Sequence, residues 1–546
     1  LYYGMNSKEA GWVAGKEWWY RKGFVVPSGW RGKRVWLRFD AADYLAEVWL
    51  NGRFLGRHEG QVTPFEFDVA ETLRPGESNI LMVLIHPAPA SVRAAIASGS
   101  GEWPVMQVMR KAYPFWKSPT NAGWDWGAKI ITMGLWQDVR LIATDGARLS
   151  DLTVQPQLAA PYERAVLNLQ LRAESSRHSR LEFVWQARCL TASDPPTVVT
   201  QSVDLALTGS RVAFQMPVPS PRLWWPNGYG PQHLYELAVV ARPAGGGAEL
   251  DRAVATFGIR DLQMLPNPDA PDNQAYIDYT TDQAVTHKMS QPPPERRYLI
   301  QINGRRIFAR GGNWLPCDLL YGRPRQPAYE HLIRLAAQAN FNLFRVWGGG
   351  LIDKPVFFEL CDRYGIMLFQ EFPNAGARLP ETDEALAVTA RETRELLPLL
   401  INHPCIVRYG GGNEWYRNAA NSRQMAQLRK ICKELDPTRP FHDPDPECIA
   451  QRHGPHGYEG VQHYRTYNTG YPLTAGPDNP LEWTEYGASG AASVETLQRI
   501  MPAEHLWPVR PTDPYWTWHK AFGAYGADNW IDRKSTRLNS SHGYIS

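Results

Sequence analysis

The chain has 546 residues, which at roughly 100 to 200 residues per domain allows about three or four domains. Its 58 Lys and Arg against 55 Asp and Glu leave a formal charge of +3, so the concentrated basic surface that a nucleic acid or an anionic membrane requires is absent. Hydrophobic residues at 43% and charged residues at 21% describe a globular chain, and no run approaches the ~18 uninterrupted apolar residues of a membrane helix.

Residues 1–148 read as β-structure. Val35, Leu37 and Phe39 alternate with Arg34 and Arg38, and the run ending Val48-Trp49-Leu50 meets Asn51-Gly52, a strong hairpin signal. Strands and turns of this kind are expected to continue to Val139-Arg140-Leu141, forming a jelly-roll-like sandwich. Residues 149–260 repeat the style in LTVQPQL, AVLNLQLRA, RLEFVWQA, VAFQMPV and LYELAVVAR, with Gly245-Gly246-Gly247 as a hairpin loop. That spacing predicts a second, immunoglobulin-like sandwich. A polar, Pro-rich stretch from about Pro266 to Arg296 marks a boundary or a long insertion.

Beyond it, from 261 to 531, short apolar strands alternate with amphipathic helices. IFARGGNW reads as a strand, and PAYEHLIRLAAQAN as a helix whose apolar face carries Leu332, Leu335, Ala336 and Ala339. FRVWGGG, PVFFELCDRYG with Pro355 in its first turn, IMLFQEF, a helix around ARETRELLPLLINHP, and CIVRYGGGNEW continue the alternation. Parallel strands follow, in a (β/α)8 barrel or a doubly wound sheet.

Two carboxylates stand at the ends of short apolar strands, Glu414 in Gly412-Asn413-Glu414-Trp415 and Glu485 before Tyr486-Gly487. A carboxylate there is costly unless it is partnered or functional, and barrel enzymes keep their reactive groups at strand ends. A solvated loop residue or an ion pair is the ordinary explanation of a single Glu. Two at analogous strand ends, in a chain with 22 Trp and 24 Tyr that suit stacking on sugar rings, favour a glycoside-hydrolysing pair. Competing chemistries do poorly. His453 and His456 in HGPHG lack a third ligand at zinc spacing, GGG at 348–350 is not followed by GK[ST], and no GxSxG occurs. The six cysteines lack CxxC spacing and read as buried free thiols.

From about Tyr2 to Ile531 the chain resembles glycoside hydrolase family 2, most closely its β-mannosidase branch. The resemblance rests on motifs in the family's order: Trp18-Trp19-Tyr20-Arg21, Gly123-Trp124-Asp125-Trp126-Gly127, and Trp224-Trp225-Pro226-Asn227-Gly228-Tyr229-Gly230 with Leu234-Tyr235. Phe257-Gly258-Ile259-Arg260, Asn303-Gly304, Gly312-Asn313-Trp314-Leu315-Pro316 and Phe344-Arg345-Val346-Trp347-Gly348-Gly349-Gly350 follow. It implies a retaining exo-glycosidase that removes terminal β-mannose without a cofactor. Glu414 would be the acid/base on strand four, and Glu485 the nucleophile on strand seven. Asn413 would bind the sugar 2-hydroxyl, Arg345 would balance the Glu485 charge, and His463 and Tyr464 would stand beside it. Trp124, Asp125, Trp314, Asp318 and Trp347 would line the pocket.

Departures bear on the sugar. Gly412 replaces the first of two family Asn residues, Thr484-Glu485-Tyr486-Gly487 stands for SEFG, and Ala128 for the Pro of GWDWGP. A β-glucosaminidase, β-galactosidase or β-glucuronidase of the same family is therefore the alternative, and a non-catalytic carbohydrate-binding remnant is another. The eighth-strand segment and later β-domains of the family are not found, so a barrel lacking its last strand, unstable or inactive alone, is expected. Residues 532–546, DRKSTRLNSSHGYIS, resemble translated sequencing-adapter DNA and are expected to be non-native. The chain begins at Leu1 rather than Met and no signal segment follows, so a removed segment or a missing native start is expected, and neither compartment nor oligomeric state is read.

Overall fold

The computed structural model describes residues 1–98, 102–124, 127–175, 179–205, 209–265, 275–278, 283–286, 299–375, 379–414, 422–442, 451–456, 482–487, 492–510 and 512–519. The N-terminal unit is a β-sandwich. One antiparallel sheet orders Trp18–Val25, Ser78–Ile85, Leu45–Leu50 and Arg53–Glu59, and the other Phe65–Asp68, Arg34–Phe39 and Val139–Thr144. Val35, Leu37, Phe39, Val48, Leu50, Val83 and Ile85 fill the space between them. The Asn51-Gly52 turn has φ of +52° and +84°, the left-handed pair that a tight hairpin needs. The expectation of β-structure throughout this unit needs one correction. Helices Ala90–Ala97 and Glu102–Ala112 stand in it, where Gly99, Gly101 and Pro104 punctuate the sequence and mask the helical period.

The second sandwich packs Ala147–Leu158, Arg164–Ser175 and Ser210–Pro219 against Thr197–Leu205, Ser179–Cys189, Tyr235–Pro243 and Asp251–Phe257. Strict burial alternation, as in Leu181, Phe183, Trp185 and Ala187, aims every second side chain inward.

Among the described residues, seven strands carry the third unit, with parallel pairing throughout. They are β1 (Gly311–Trp314), β2 (Leu343–Val346), β3 (Met367–Glu371), β4 (Ile406–Gly410), β5 (Phe441–His442), β6 (Gln451–His456) and β7 (Glu482–Gly487). Strands β1 to β5 form one sheet in sequential order, β6 pairs with β7, and β7 runs beside β1. A doubly wound sheet requires a reversal of strand order, so the sequential order selects the barrel. The connecting helices are α1 (Gln326–Gln338), α2 (Pro355–Tyr364), α3 (Asp383–Leu400) and α4 (Ser422–Leu435).

Two local readings are corrected here. Arg305–Ile307 turns back through Asn303-Gly304 onto Leu299–Ile302, so only Gly311–Trp314 of the IFARGGNW run enters the barrel. On α1 the buried positions are Tyr329 and Ile333, one turn apart, while Leu332 and Leu335 are 40% and 45% exposed. Two apolar stripes share Ala336, and the barrel packs on the aromatic one.

Polar contacts seat the sandwiches on the barrel. Trp224 Nε1 donates to the Asp362 carbonyl (2.8 Å), and the Arg260 guanidinium donates to the carbonyls of Pro404 and Ile406 (both 2.6 Å). From the first sandwich, Arg110 donates to the Pro373 carbonyl (3.0 Å), the Trp116 amide to Glu392 on α3 (2.8 Å) and Ser118 Oγ to the Gly349 carbonyl (3.0 Å).

Candidate active site

The carboxyl ends of the barrel strands converge on Arg345, the penultimate residue of β2's run Leu343-Phe344-Arg345-Val346. A buried guanidinium carries five donors and no acceptor, so its surroundings must supply oxygens. Arg345 Nε donates to Glu371 Oε1 (2.8 Å), Nη1 to Glu485 Oε1 (2.6 Å) and Asn313 Oδ1 (3.3 Å), and Nη2 to Asn413 Oδ1 (2.7 Å). One residue thus gathers groups from the ends of β1, β3, β4 and β7.

The backbone after β4 explains how Asn413 and Glu414 arrive there. Asn413 N donates to the Asn374 carbonyl (2.8 Å), and Asn413 forms a parallel bridge with Ala375, so the β3–β4 pairing resumes past the barrel rim. Gly412 has φ +141°, and a Cβ there would sit 2.5 Å from the Asn374 carbonyl oxygen. This backbone therefore requires a glycine at position 412. Glu414 itself takes φ +54°, a conformation rare outside glycine and frequent at functional sites.

Trp124, on the loop leaving the first sandwich, meets Trp347 edge to face, with ring centroids 4.7 Å apart. Both rings are buried, together with Met106 and Ala375. The first sandwich therefore lies against the turn Trp347–Gly350, whose Gly348 amide donates to Glu371 Oε2 (2.6 Å).

Two expected pocket residues are placed elsewhere. Trp314 packs in the barrel wall, stacked on Phe357 (4.6 Å) and flanked by Phe344, and its Nε1 donates to Asp353 (3.0 Å). Burial raises the Asp353 carboxyl above the usual carboxylate range. Asp318 accepts from the Tyr2 hydroxyl, from Arg323 and from the Leu320 amide (2.8 Å), so it ties the amino-terminal segment to the barrel instead of joining the Arg345 cluster. Asp125, His463 and Tyr464 lie outside the described residues.

Two further ionic groups went unread in the sequence. Glu371 closes a short apolar strand just as Glu414 and Glu485 do, and that shared pattern was the available signal. Arg408 on β4 crosses the barrel interior to Glu482 on β7, with Nη1 3.0 Å from Oε2 and the guanidinium 3.8 Å from the Phe369 ring centroid. Alternation gives no hint of a charge pair inside a barrel.

Two sandwiches leading into a parallel-stranded barrel, with Glu371, Asn413 and Glu485 gathered on Arg345, are the frame in which the comparisons place the chain among glycoside hydrolases. Residues 1–137 match the family description "Glycosyl hydrolase 2 galactose-binding domain-like", residues 147–260 "Glycosyl hydrolases family 2", and residues 296–521 "Glycosyl hydrolases family 2, TIM barrel domain". The chain belongs to glycoside hydrolase family 2. It is similar to "Beta-mannosidase B" of Thermothelomyces thermophilus, 26% identical over 81% of this chain and 51% of that one. With "Beta-mannosidase B" of Aspergillus terreus it is 30% identical over 76% of this chain and 46% of that one. The solved β-D-mannosidase of Dictyoglomus thermophilum superposes with a TM-score of 0.74 at 26% identity, covering 96% of this chain and 62% of that one. The chain thus spans about half the length of the curated relatives it matches.

Proposed function

We propose that this chain carries the sugar-binding and catalytic portion of an exo-acting, retaining β-mannosidase. The observation that carries the reading is Arg345, which holds Glu485 and the Asn413 next to Glu414 in a single hydrogen-bonded set although 71 residues separate the two glutamates. In this reading Glu485 attacks the anomeric carbon while Glu414 protonates the departing oxygen. Glu414 then takes a proton from the water that cleaves the glycosyl–Glu485 ester. Arg345 balances the Glu485 charge before attack. Because arginine only donates, Asn413 must turn Oδ1 towards it, and its Nδ2 group remains as donor for the sugar 2-hydroxyl. The Trp124–Trp347 contact supports a pocket walled by the sandwich, as the similarity to β-mannosidases also suggests.

The test is hydrolysis of aryl β-mannoside, glucosaminide, galactoside, glucoside and glucuronide by the full-length protein. Preference for the mannoside is expected. Preference for another sugar would keep the two-glutamate chemistry and overturn the specificity. Glu485→Ala is expected to abolish turnover, with azide restoring part of it as the inverted glycosyl azide. A folded Glu485→Ala protein that azide does not rescue would remove Glu485 as nucleophile.

A further inference from the structure

We propose that Glu371 is a positioning residue of this site, one carboxylate that orients Arg345 towards the nucleophile and fixes the Trp347–Gly350 turn against the first sandwich. The inference rests on the two-glutamate reading above.

Glu371 is the last residue of β3 and its side chain is buried. Its two oxygens serve different elements, Oε1 accepting from Arg345 Nε (2.8 Å) and Oε2 from the Gly348 amide (2.6 Å). The first contact determines what Arg345 can do. A guanidinium facing one carboxylate closes on it in a two-bond fork and takes both of its oxygens. With Nε and Nη2 both 2.8 Å from Glu371 Oε1, and Nη2 also donating to Asn413, Arg345 reaches Glu485 through Nη1 to Oε1. Its positive charge is then shared between two carboxylates, so the nucleophile is held in place without being fully neutralised.

The second contact reaches the other wall of the pocket. A Cβ at Gly348 would lie 2.5 Å from the Asn374 carbonyl, 2.8 Å from the Asn413 amide nitrogen and 2.9 Å from Glu371 Oε2. Only a residue without a side chain brings this amide onto Glu371 while the turn rests on the backbone exits of β3 and β4. The next carbonyl, Gly349, accepts from Ser118 Oγ of the sandwich (3.0 Å), and the preceding Trp347 meets Trp124. Glu371 therefore couples the charge at the nucleophile to the placement of the turn that faces the sandwich. Three things converge on it that packing alone does not require: full burial, a charged partner shared with the nucleophile, and a backbone donor in the loop that bears a pocket tryptophan.

Three variants of the full-length protein test this, with kcat, KM, the pH profile of kcat/KM and the melting temperature measured for each. Glu371→Gln retains an oxygen for Arg345 but presents an amide to the Gly348 N–H and removes a negative charge beside the Arg345–Glu485 pair. Loss of that charge favours ionised Glu485, so the acid limb of the profile is expected to move to lower pH, on the order of one unit. kcat is expected to fall about 10- to 100-fold with KM changed much less. Glu371→Asp keeps the charge but is one methylene short of bridging both donors; it should lose kcat and leave the acid limb in place. Glu359→Gln, an exposed carboxylate on α2, serves as the control and should resemble the parent protein.

Parent-like kcat and acid limb in folded Glu371→Gln would overturn the proposal. So would activity losses that follow the melting temperature with an unchanged pH profile. If Glu371→Gln does not fold, Glu371→Asp decides, because full parental kcat there also overturns it. Inactivity of the parent on all five glycosides, or failed azide rescue of Glu485→Ala, would instead strike the functional reading on which the inference rests.

Discussion

At the scale of single residues, the proposed function separates side chains expected to meet the sugar from side chains that support the barrel. Asn413 has its amide orientation dictated by Arg345 and offers a donor at the strand rim. Replacing it by Ser is expected to lower kcat/KM roughly 100-fold, the usual loss for one preorganised donor, with little change in melting temperature. Trp314 should behave in the opposite way. It is 8% exposed and enclosed by Phe344, Phe357 and Tyr329, so Trp314→Ala is expected to cost about 3 to 5 kcal/mol of stability, measurable by denaturant titration. A Trp314→Ala protein with parental stability and a raised KM would return Trp314 to the pocket. The sequence could not separate these two residues, because both stand in motifs at strand ends. What separates them is which side of the strand each occupies, and only the closed barrel sets that.

At the scale of elements, α3 presents a buried carboxyl to the first sandwich. Glu392 accepts from the Trp116 amide, and desolvation pushes its pKa up to about 8 from an ordinary 4.5. His58, on the strand Arg53–Glu59, is pushed down to about 4 by burial and by nearby Arg391. Both groups border Gly60, whose absent Cβ would lie 3.3 Å from His58 Nε2 and 3.7 Å from Glu392 Oε1. Arg110 and Tyr44 of the sandwich and Arg391 and Glu395 of α3 complete the charged surroundings.

The signs of the two effects differ. A carboxyl raised on folding stabilises the protein fully below about pH 4.5 and loses that contribution as pH rises through about 8. A histidine lowered on folding costs stability as pH falls from its ordinary 6.5 through about 4. The effects oppose one another between pH 4.5 and 6.5, and above 6.5 Glu392 acts alone. The melting temperature is therefore expected to decline from pH 6.5 to 8, and Glu392→Gln should flatten that decline. An equal decline in the variant would assign it to other groups.

Most of the elements themselves were legible. Period-two runs located the strands of the second sandwich because each aims one face inward, and Gly365 at φ +70° ends α2 where the sequence predicts. The face of α1 was not legible, since two apolar stripes compete and only the neighbours choose. The short helices of the first sandwich were hidden by Gly and Pro between them.

At the scale of the whole molecule, the barrel and the first sandwich meet at the Trp347–Gly350 turn. Trp124 comes from one and Trp347 from the other, and Ser118 donates across the junction to the turn beside Trp347. Order of motifs made the architecture readable, and strand-end position was the signal on which Glu414 and Glu485 were chosen as candidates. The resemblance named Arg345 as the partner of Glu485, but its hydrogen bonds to Asn313, Glu371 and Asn413 were not legible, since these come from separate segments, and Glu485 itself lies 140 residues away. Loop-closure distance of that kind leaves no local trace in a sequence.

The contact between the Trp116 amide and Glu392 spans 276 residues. During synthesis at about 5 to 20 residues per second, the helical insertion of the first sandwich is finished roughly 15 to 55 s before its seat on the barrel exists. For most of that interval Met106 and Trp124 wait for Trp347 and Ala375, the barrel side chains with which they are buried in the finished molecule and which are made only at positions 347 and 375. An emerging chain with apolar groups waiting on a distant partner is a natural client for chaperones at the ribosome exit. Yield in a cell should then respond to translation speed and to chaperone supply more strongly than the finished protein's stability would suggest.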